Sequence, residues 1–416
     1  MRRRLFEVTG VAAVVIAVAV ILKLAGEPLG SETRAATGTA GSPAPKTAWG
    51  DPDLQGIWTD EYQTPLQRPA RYAGKEFLTD EERAELDRRR GGAPRQNDVG
   101  IALRGTEQDV SGAYNSVFTS MKHTGRRTSL IVDPPDGRVP PVTPEVQKRR
   151  NAMREFQLAL LQATDTCKKK LAGCEGGKYG PPSPRRAETP PSYLVGLGAV
   201  AGGAINRSDG PEDRSMGERC MSAILPDFGG FRRIVQSPGV VSIFYDTGQG
   251  QGWQRAIPVS GSPHLPSHVR QWLGDSRGRW EGNTLVVDVT NFGPKTDFQG
   301  SRENLHLTER WKPLDASTLE YTVTIEDPTT WTRSWTVKQE MNRQNEQANR
   351  IYYEPRCHEG NLGMTGLLSG MRAEERAFVG GRGPNPATRC SAGCGTGIEE
   401  VEDPDGVRDG AIGGVR

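Results

Sequence analysis

Net charge is almost absent from this chain: Lys+Arg 53 against Asp+Glu 51 leaves +2 over 416 residues. A protein that neutralises nucleic-acid phosphates concentrates basic side chains on one surface, so nucleic acid is not an expected partner. Histidine is scarce, with five residues, and the six cysteines never fall into C-x-x-C or C-x-x-C-H. That removes the usual spacing of zinc sites and of covalent haem attachment, and neither a metal nor a cofactor is expected. Long helical patterns between the C-terminal strands are missing as well, which disfavours a parallel α/β sheet. Gly 51 and Pro 30 make up about a fifth of the chain, rich in turns yet below the roughly 25–30% that marks low-complexity disorder. At roughly 150 residues per domain, the length allows two to three domains and a sizeable core.

A long apolar run occurs once. Arg2, Arg3 and Arg4 precede a nearly uncharged stretch over residues 8–22. The positive side chains are held on the cytoplasmic side while the run enters the membrane, so the rest of the chain is expected to face outward. Stretched over residues 5–24 the run reaches the roughly 20 residues of a spanning helix. No small-x-small cleavage site stands directly behind it, in KLAGEP, and signal anchor and signal peptide both remain open for residues 1–26. The expected location is the cell envelope, on the periplasmic side of the inner membrane, or outside the cell. In an oxidising space an even cysteine count reads as disulfides. Cys390 with Cys394 and Cys167 with Cys174 are close enough in sequence to pair, an arrangement that would leave Cys220 with Cys357 as the long-range staple, and the sequence alone permits fifteen full pairings.

Residues 27–48 are small, polar and proline-punctuated and read as a flexible linker. An N-terminal extended segment with one short helix comes next, over 49–142. Its helix opens at Thr79, where Glu82 completes a capping box. RTSLIV (127–132) reads as a strand running into the turn DPPDG. A long helix is expected over 143–175, capped by Thr143, with Pro144 at the first helical position and Met153, Phe156, Leu160 and Leu161 at helical spacing. Residues 176–215 read as a Gly/Pro-rich loop. The segment 216–372 carries short strands at 232–235, 240–245, 253–259, 284–289, 305–311, 319–325, 335–339 and 351–354, separated by turn signals. Such spacing predicts a mainly β fold with a few helices: an antiparallel, lipocalin-like barrel or sandwich, against which the N-terminal extension and the long helix pack. Residues 373–416 are expected to form a poorly ordered tail.

Several residues invite chemistry. Gly274-Asp275-Ser276-Arg277-Gly278 matches G-x-S-x-G, but no helix comes after it to complete a nucleophile elbow, so the segment reads as a turn between strands. His264 and His268 are four apart with Pro266 between them, which breaks the helix that would align two metal ligands. Cys357-His358-Glu359 combines an imidazole with a carboxylate and is the candidate acid/base pair; its bland reading is a loop-stabilising pair. Trp253, Trp272, Trp280, Trp311, Trp331 and Trp335 crowd the β-rich half. Rings there serve as core, and some are expected to wall a pocket for a small apolar or aromatic ligand. Trp272, Trp280, Trp311 and Tyr321 are the expected walls, with His264, Arg277, His358 or Glu359 as polar anchors. Arg270 and Arg279 lie nearby.

The stretches WGDPDLQGIW, RTSLIVDPPDGRVPP, RQWLGDSRGRWEGNTLVVDVTNF, EDPTTWTRSWTV and CHEGNLGMTGLLSG, spread over residues 49–372, resemble a family of exported bacterial proteins without assigned catalytic residues. The resemblance implies a bacterial, exported origin and no more. The expected function is therefore a membrane-anchored or secreted envelope protein that binds a small ligand in its β domain. The alternatives are an accessory or scaffold subunit of a bacterial membrane complex, and a hydrolase or lyase using His358 and Glu359.

Overall fold

A computed structural model describes residues 45–60, 62–92, 123–163, 165–170, 174–188, 211, 225–228, 231–248, 251–294, 298–344 and 363–382. The candidate N-terminal anchor, His358, Glu359, Cys220, Cys357, Cys390 and Cys394 lie outside these residues. Among the described residues no helix is long and apolar enough to cross a membrane.

Twelve strands appear among the described residues: β1 Gly56–Thr59, β2 Tyr62–Gln63, β3 His123–Thr124, β4 Ile131–Asp133, β5 Phe231–Ser237, β6 Val240–Gly248, β7 Gln251–Pro258, β8 Asp275–Glu281, β9 Thr284–Thr290, β10 His306–Pro313, β11 Thr318–Glu326 and β12 Trp335–Arg343. The longer helices are α1 Asp80–Gly92, α2 Pro144–Leu161 and α3 Gly363–Val379. Strand order β7-β6-β5-β1-β12-β11-β10-β9-β8 makes one antiparallel sheet, which curls into a nearly closed barrel; β4 pairs with β12 beside that path. The expected mainly β, barrel-type fold is what forms.

Period-two alternation fixes the inner face. Along β11, Leu319, Tyr321, Val323 and Ile325 are buried and the residues between them are half-buried. β12 buries Trp335, Val337, Gln339 and Met341 in the same way. These side chains join Val241, Ile243, Ile257, Leu285, Val287 and Leu307 in one core.

With nine strands joined by antiparallel ladders, the first and last, β7 and β8, run in the same direction. Residues 259–274 must therefore travel the height of the barrel to connect them. Closure at this seam depends on Gly278 of β8, where a Cβ would stand 3.0 Å from the methyl groups of Ile257 and Val259.

Four expectations change. The segment 274–278 is no turn: Asp275–Glu281 is a full strand paired with β9 from Asp275↔Thr290 to Glu281↔Thr284. Its apolar signal is hidden because the seam demands the small residues Ser276 and Gly278 at inner positions. The N-terminal segment does not merely pack against the sheet. β1, buried at every residue, lies between β5 and β12 and covers two edges that would otherwise be bare. Helix α2 ends at Leu161, well short of the expected 175; a single turn at Asp165–Lys168 comes after it, and Cys167 and Cys174 form the expected disulfide. Residues 363–372, expected to close the β domain, and the start of the expected tail at 373 belong together to α3. Leu368, Met371 and Phe378 recur near helical spacing and MRAEERA is rich in helix formers, a signal obscured by Gly363, Gly366 and Gly370.

The helix starts form as expected. Thr79 accepts from the Glu82 amide at 3.2 Å while the Glu82 carboxylate accepts from the Thr79 amide at 2.8 Å. Thr143 caps α2 by accepting from the Val146 amide.

Candidate functional site

Two polar clusters stand out, one on each face of the barrel wall. The inner one begins with phase. On β7, Arg255 alternates in step with Trp253 and Ile257, and on β10 Glu309 is in step with Leu307 and Trp311; all six are buried. A charge in the apolar phase of a strand enters the core, where it needs a partner. Arg255 Nη1 meets Glu309 Oε2 at 2.7 Å, with 3% and 0% of the side chains exposed. That contact is an ion pair outside hydrogen-bond alignment. Tyr321 donates its hydroxyl to Glu309 Oε1 at 2.9 Å. Arg255 donates from Nε to the Ser276 hydroxyl at 2.9 Å, tying β7 to β8 across the seam, and from Nη1 to the Tyr245 hydroxyl at 3.4 Å.

The interior extends through Tyr245. The Arg232 guanidinium lies over its ring at 4.6 Å and bonds Asp227 with Nη2 at 3.1 Å. Trp253 stacks on the same Tyr245 ring, centroids 4.0 Å apart, while Trp311 packs on its cross-strand partner Tyr321 at 4.3 Å. Gln339 donates to the carbonyl of Phe228 at 2.7 Å, holding the segment 225–228 against the barrel interior. Burial pushes the Tyr245 hydroxyl up to about 12 and Tyr321 well above the ordinary range. Burial alone would lower Arg255, but the Glu309 charge and Tyr245 outweigh it and keep the guanidinium protonated.

Among the described residues the buried donors Arg255 Nη2 and the indole N–H groups of Trp253, Trp280 and Trp311 meet no acceptor, and the buried acceptor Glu309 Oε2 meets no aligned donor. The same lack of an acceptor holds for the indole N–H groups of Trp331 and Trp335 in the same core, which pack edge-to-face on each other while Phe298 meets Trp331 edge-to-face and stacks on Trp335.

The outer cluster is a chain of alternating carboxylates and imidazoles. His264, from the 259–274 connection, places Nδ1 2.8 Å from Asp275 and Nε2 2.7 Å from Asp288. His306 places Nε2 2.6 Å from the second Asp288 oxygen and Nδ1 2.9 Å from Glu326. Arg277 pairs with Asp275 at 2.8 Å and donates to the Pro263 carbonyl at 2.9 Å. The Leu265 amide donates to Asp275, and Asn291 donates to the Leu265 carbonyl. Partial burial pushes Asp288 upward, but hydrogen bonds from His306 and His264 outweigh it and hold the carboxyl below its ordinary value. Every ring nitrogen already meets a carboxylate, so the cluster offers no open nitrogen to a substrate; its geometry is that of a clasp. No group of three or more metal-ligating side chains is arranged to hold an ion among the described residues.

The expected site residues are thus divided. Trp311 and Tyr321 meet inside the barrel. His264 and Arg277 converge on Asp275 on the outside. Trp272 and Trp280 are half-buried at the margin of the core. Ser276 lies mid-strand with its hydroxyl taken by Arg255. Residues that the motifs did not single out, Arg255, Glu309, Tyr245, Asp288 and His306, form the centres of both clusters.

No protein-family model matches the chain, and no curated protein matches it.

Proposed function

We propose that this protein binds a small, largely apolar or aromatic molecule inside its barrel and does so in the cell envelope, as an exported protein held by or released from an N-terminal membrane segment. The observation that carries the reading is the pairing of inward aromatic faces, Tyr245 with Trp253 and Trp311 with Tyr321, around a buried polar set. Barrels of about this strand number either fill with side chains or hold one small ligand. Rings that combine apolar area with a polar edge suit such a ligand. His264 and Arg277 then act as fasteners of the wall and not as ligand anchors.

Titration of the full chain with the neutral probe N-phenyl-1-naphthylamine tests this. Saturable probe emission with matching quenching of tryptophan fluorescence is expected, and competition by a lipophilic panel then ranks ligands. An absence of both signals across that panel overturns the reading. Turnover of a bound compound that is lost in His358→Ala would instead favour the enzyme, and co-purification with membrane subunits the accessory role.

A further inference from the structure

The inner donors and the inner charges together specify what the ligand must offer. Arg255 is matched by Glu309 and Arg232 by Asp227, so among the described residues these interior charges balance in pairs. Arg255 Nη2, Trp253 Nε1 and Trp311 Nε1, all on residues more than nine-tenths buried, find no acceptor among the described residues, while Glu309 Oε2, 2.7 Å from Arg255 Nη1, is in ionic contact without an aligned hydrogen bond. A buried donor left without an acceptor is destabilising, and these three are linked through one network. Trp253 stacks on Tyr245 and Trp311 packs on Tyr321. Those two hydroxyls meet Arg255 and Glu309 in turn.

We infer that the ligand is an uncharged molecule whose aromatic or apolar body carries an oxygen acceptor, received by Arg255 Nη2 and the indole N–H groups of Trp253 and Trp311. The inference rests on the reading of the barrel as a binding site. A carboxylate is the wrong acceptor here. It would be placed beside Glu309, whose own charge already satisfies the guanidinium, and a second buried anion would go unmatched.

Three probes with the same bicyclic body separate the possibilities: naphthalene, 2-acetylnaphthalene and 2-naphthoate, each titrated calorimetrically into the full-length protein. The ketone is expected to bind about tenfold more tightly than naphthalene, one added hydrogen bond's worth, with the naphthoate weakest. Trp311→Phe keeps an aromatic side chain and removes the N–H, so it should shrink the ratio of ketone to naphthalene affinity, whatever it does to the affinity for naphthalene itself. Glu309→Gln uncovers the Arg255 charge and should move the preference toward the naphthoate. If that variant does not fold, the wild-type ratios and Trp311→Phe still decide. Equal affinities for all three probes, or a naphthoate that binds tightest to the wild type, overturn the inference and leave the binding reading standing. Failure of every probe to bind overturns both.

Discussion

Glu309 has no exposed surface and one guanidinium for company, so its energetic role is set by what happens when one partner is removed. Breaking a buried pair strands the other charge, and Glu309→Ala should cost about 3–5 kcal/mol in urea denaturation. Tyr321→Phe, which deletes only the hydroxyl donor, should cost about 1–2 kcal/mol. Replacing Arg255 and Glu309 together by Met and Leu should cost less than Glu309→Ala alone, because no charge is left behind. On the outer face the test is pH. The Asp288 carboxyl titrates below its ordinary 3.8 because His306 and His264 hold its ionised form. A depressed carboxyl contributes stability that is fully present above the unfolded value and is lost as pH falls through the folded one. Stability measured at pH 6 and pH 3 should therefore drop more in the wild type than in Asp288→Asn; an equal drop would remove Asp288 from the acid response. The inner pair was legible in principle, since Glu309 in LTERW and Arg255 in WQRAI sit in the apolar phase of their strands. The outer chain was not: His264, Asp288 and His306 are far apart in sequence, and only the strand register and the returning connection bring them together.

At the scale of elements, alternation and turn chemistry located most of the barrel, because half-buried antiparallel strands print their faces on the sequence. β8 escaped for the opposite reason. Its inner positions must be small to let β7 approach, and Ser276 and Gly278 carry no apolar signature. Nor does local pattern reveal that GIWT is a central strand, since the partners of Trp58, Arg232 and Arg343, both lie more than a hundred residues downstream. The entry to β8 depends on backbone geometry as well. Gly274 has φ +66° and a Cβ there would stand 2.6 Å from the Thr290 carbonyl oxygen. Gly274→Ala should therefore destabilise by about 1–3 kcal/mol, read as a lowered denaturation midpoint, with a matching loss of probe binding if the seam is disturbed. Helix α1 offers a milder control: Thr79→Ala removes half of the capping box and should cost about 1 kcal/mol without altering binding.

For the whole molecule, a ligand that binds only the folded barrel must stabilise it by mass action. At a free concentration of about a hundred times Kd the gain is about 2.7 kcal/mol, so a saturating neutral ketone should raise the thermal midpoint in the wild type. The same addition should do so less in Trp311→Phe. Composition pointed to a turn-rich protein and strand spacing to the mainly β fold from sequence alone, while the N-terminal run raised the expectation of export. Strand phase marks Arg255 and Glu309 as inward charges, but that they meet each other, with Tyr321, Tyr245 and Ser276 around them, emerged only once nine strands were wrapped around them.

The same-direction pair β7 and β8 gives the barrel a weak point of a particular kind. Because the two strands share no hydrogen-bonded ladder, the covalent crossover 259–274, clasped by His264 to Asp275 and Asp288, adds to the Arg255–Ser276 hydrogen bond and the Gly278 contact in keeping the cylinder from unrolling. A single protease cut within 260–263 would leave two strand edges free to separate. The nicked chain should then pair edge to edge with its own copies, so limited digestion would convert a discrete species into higher oligomers without releasing a fragment.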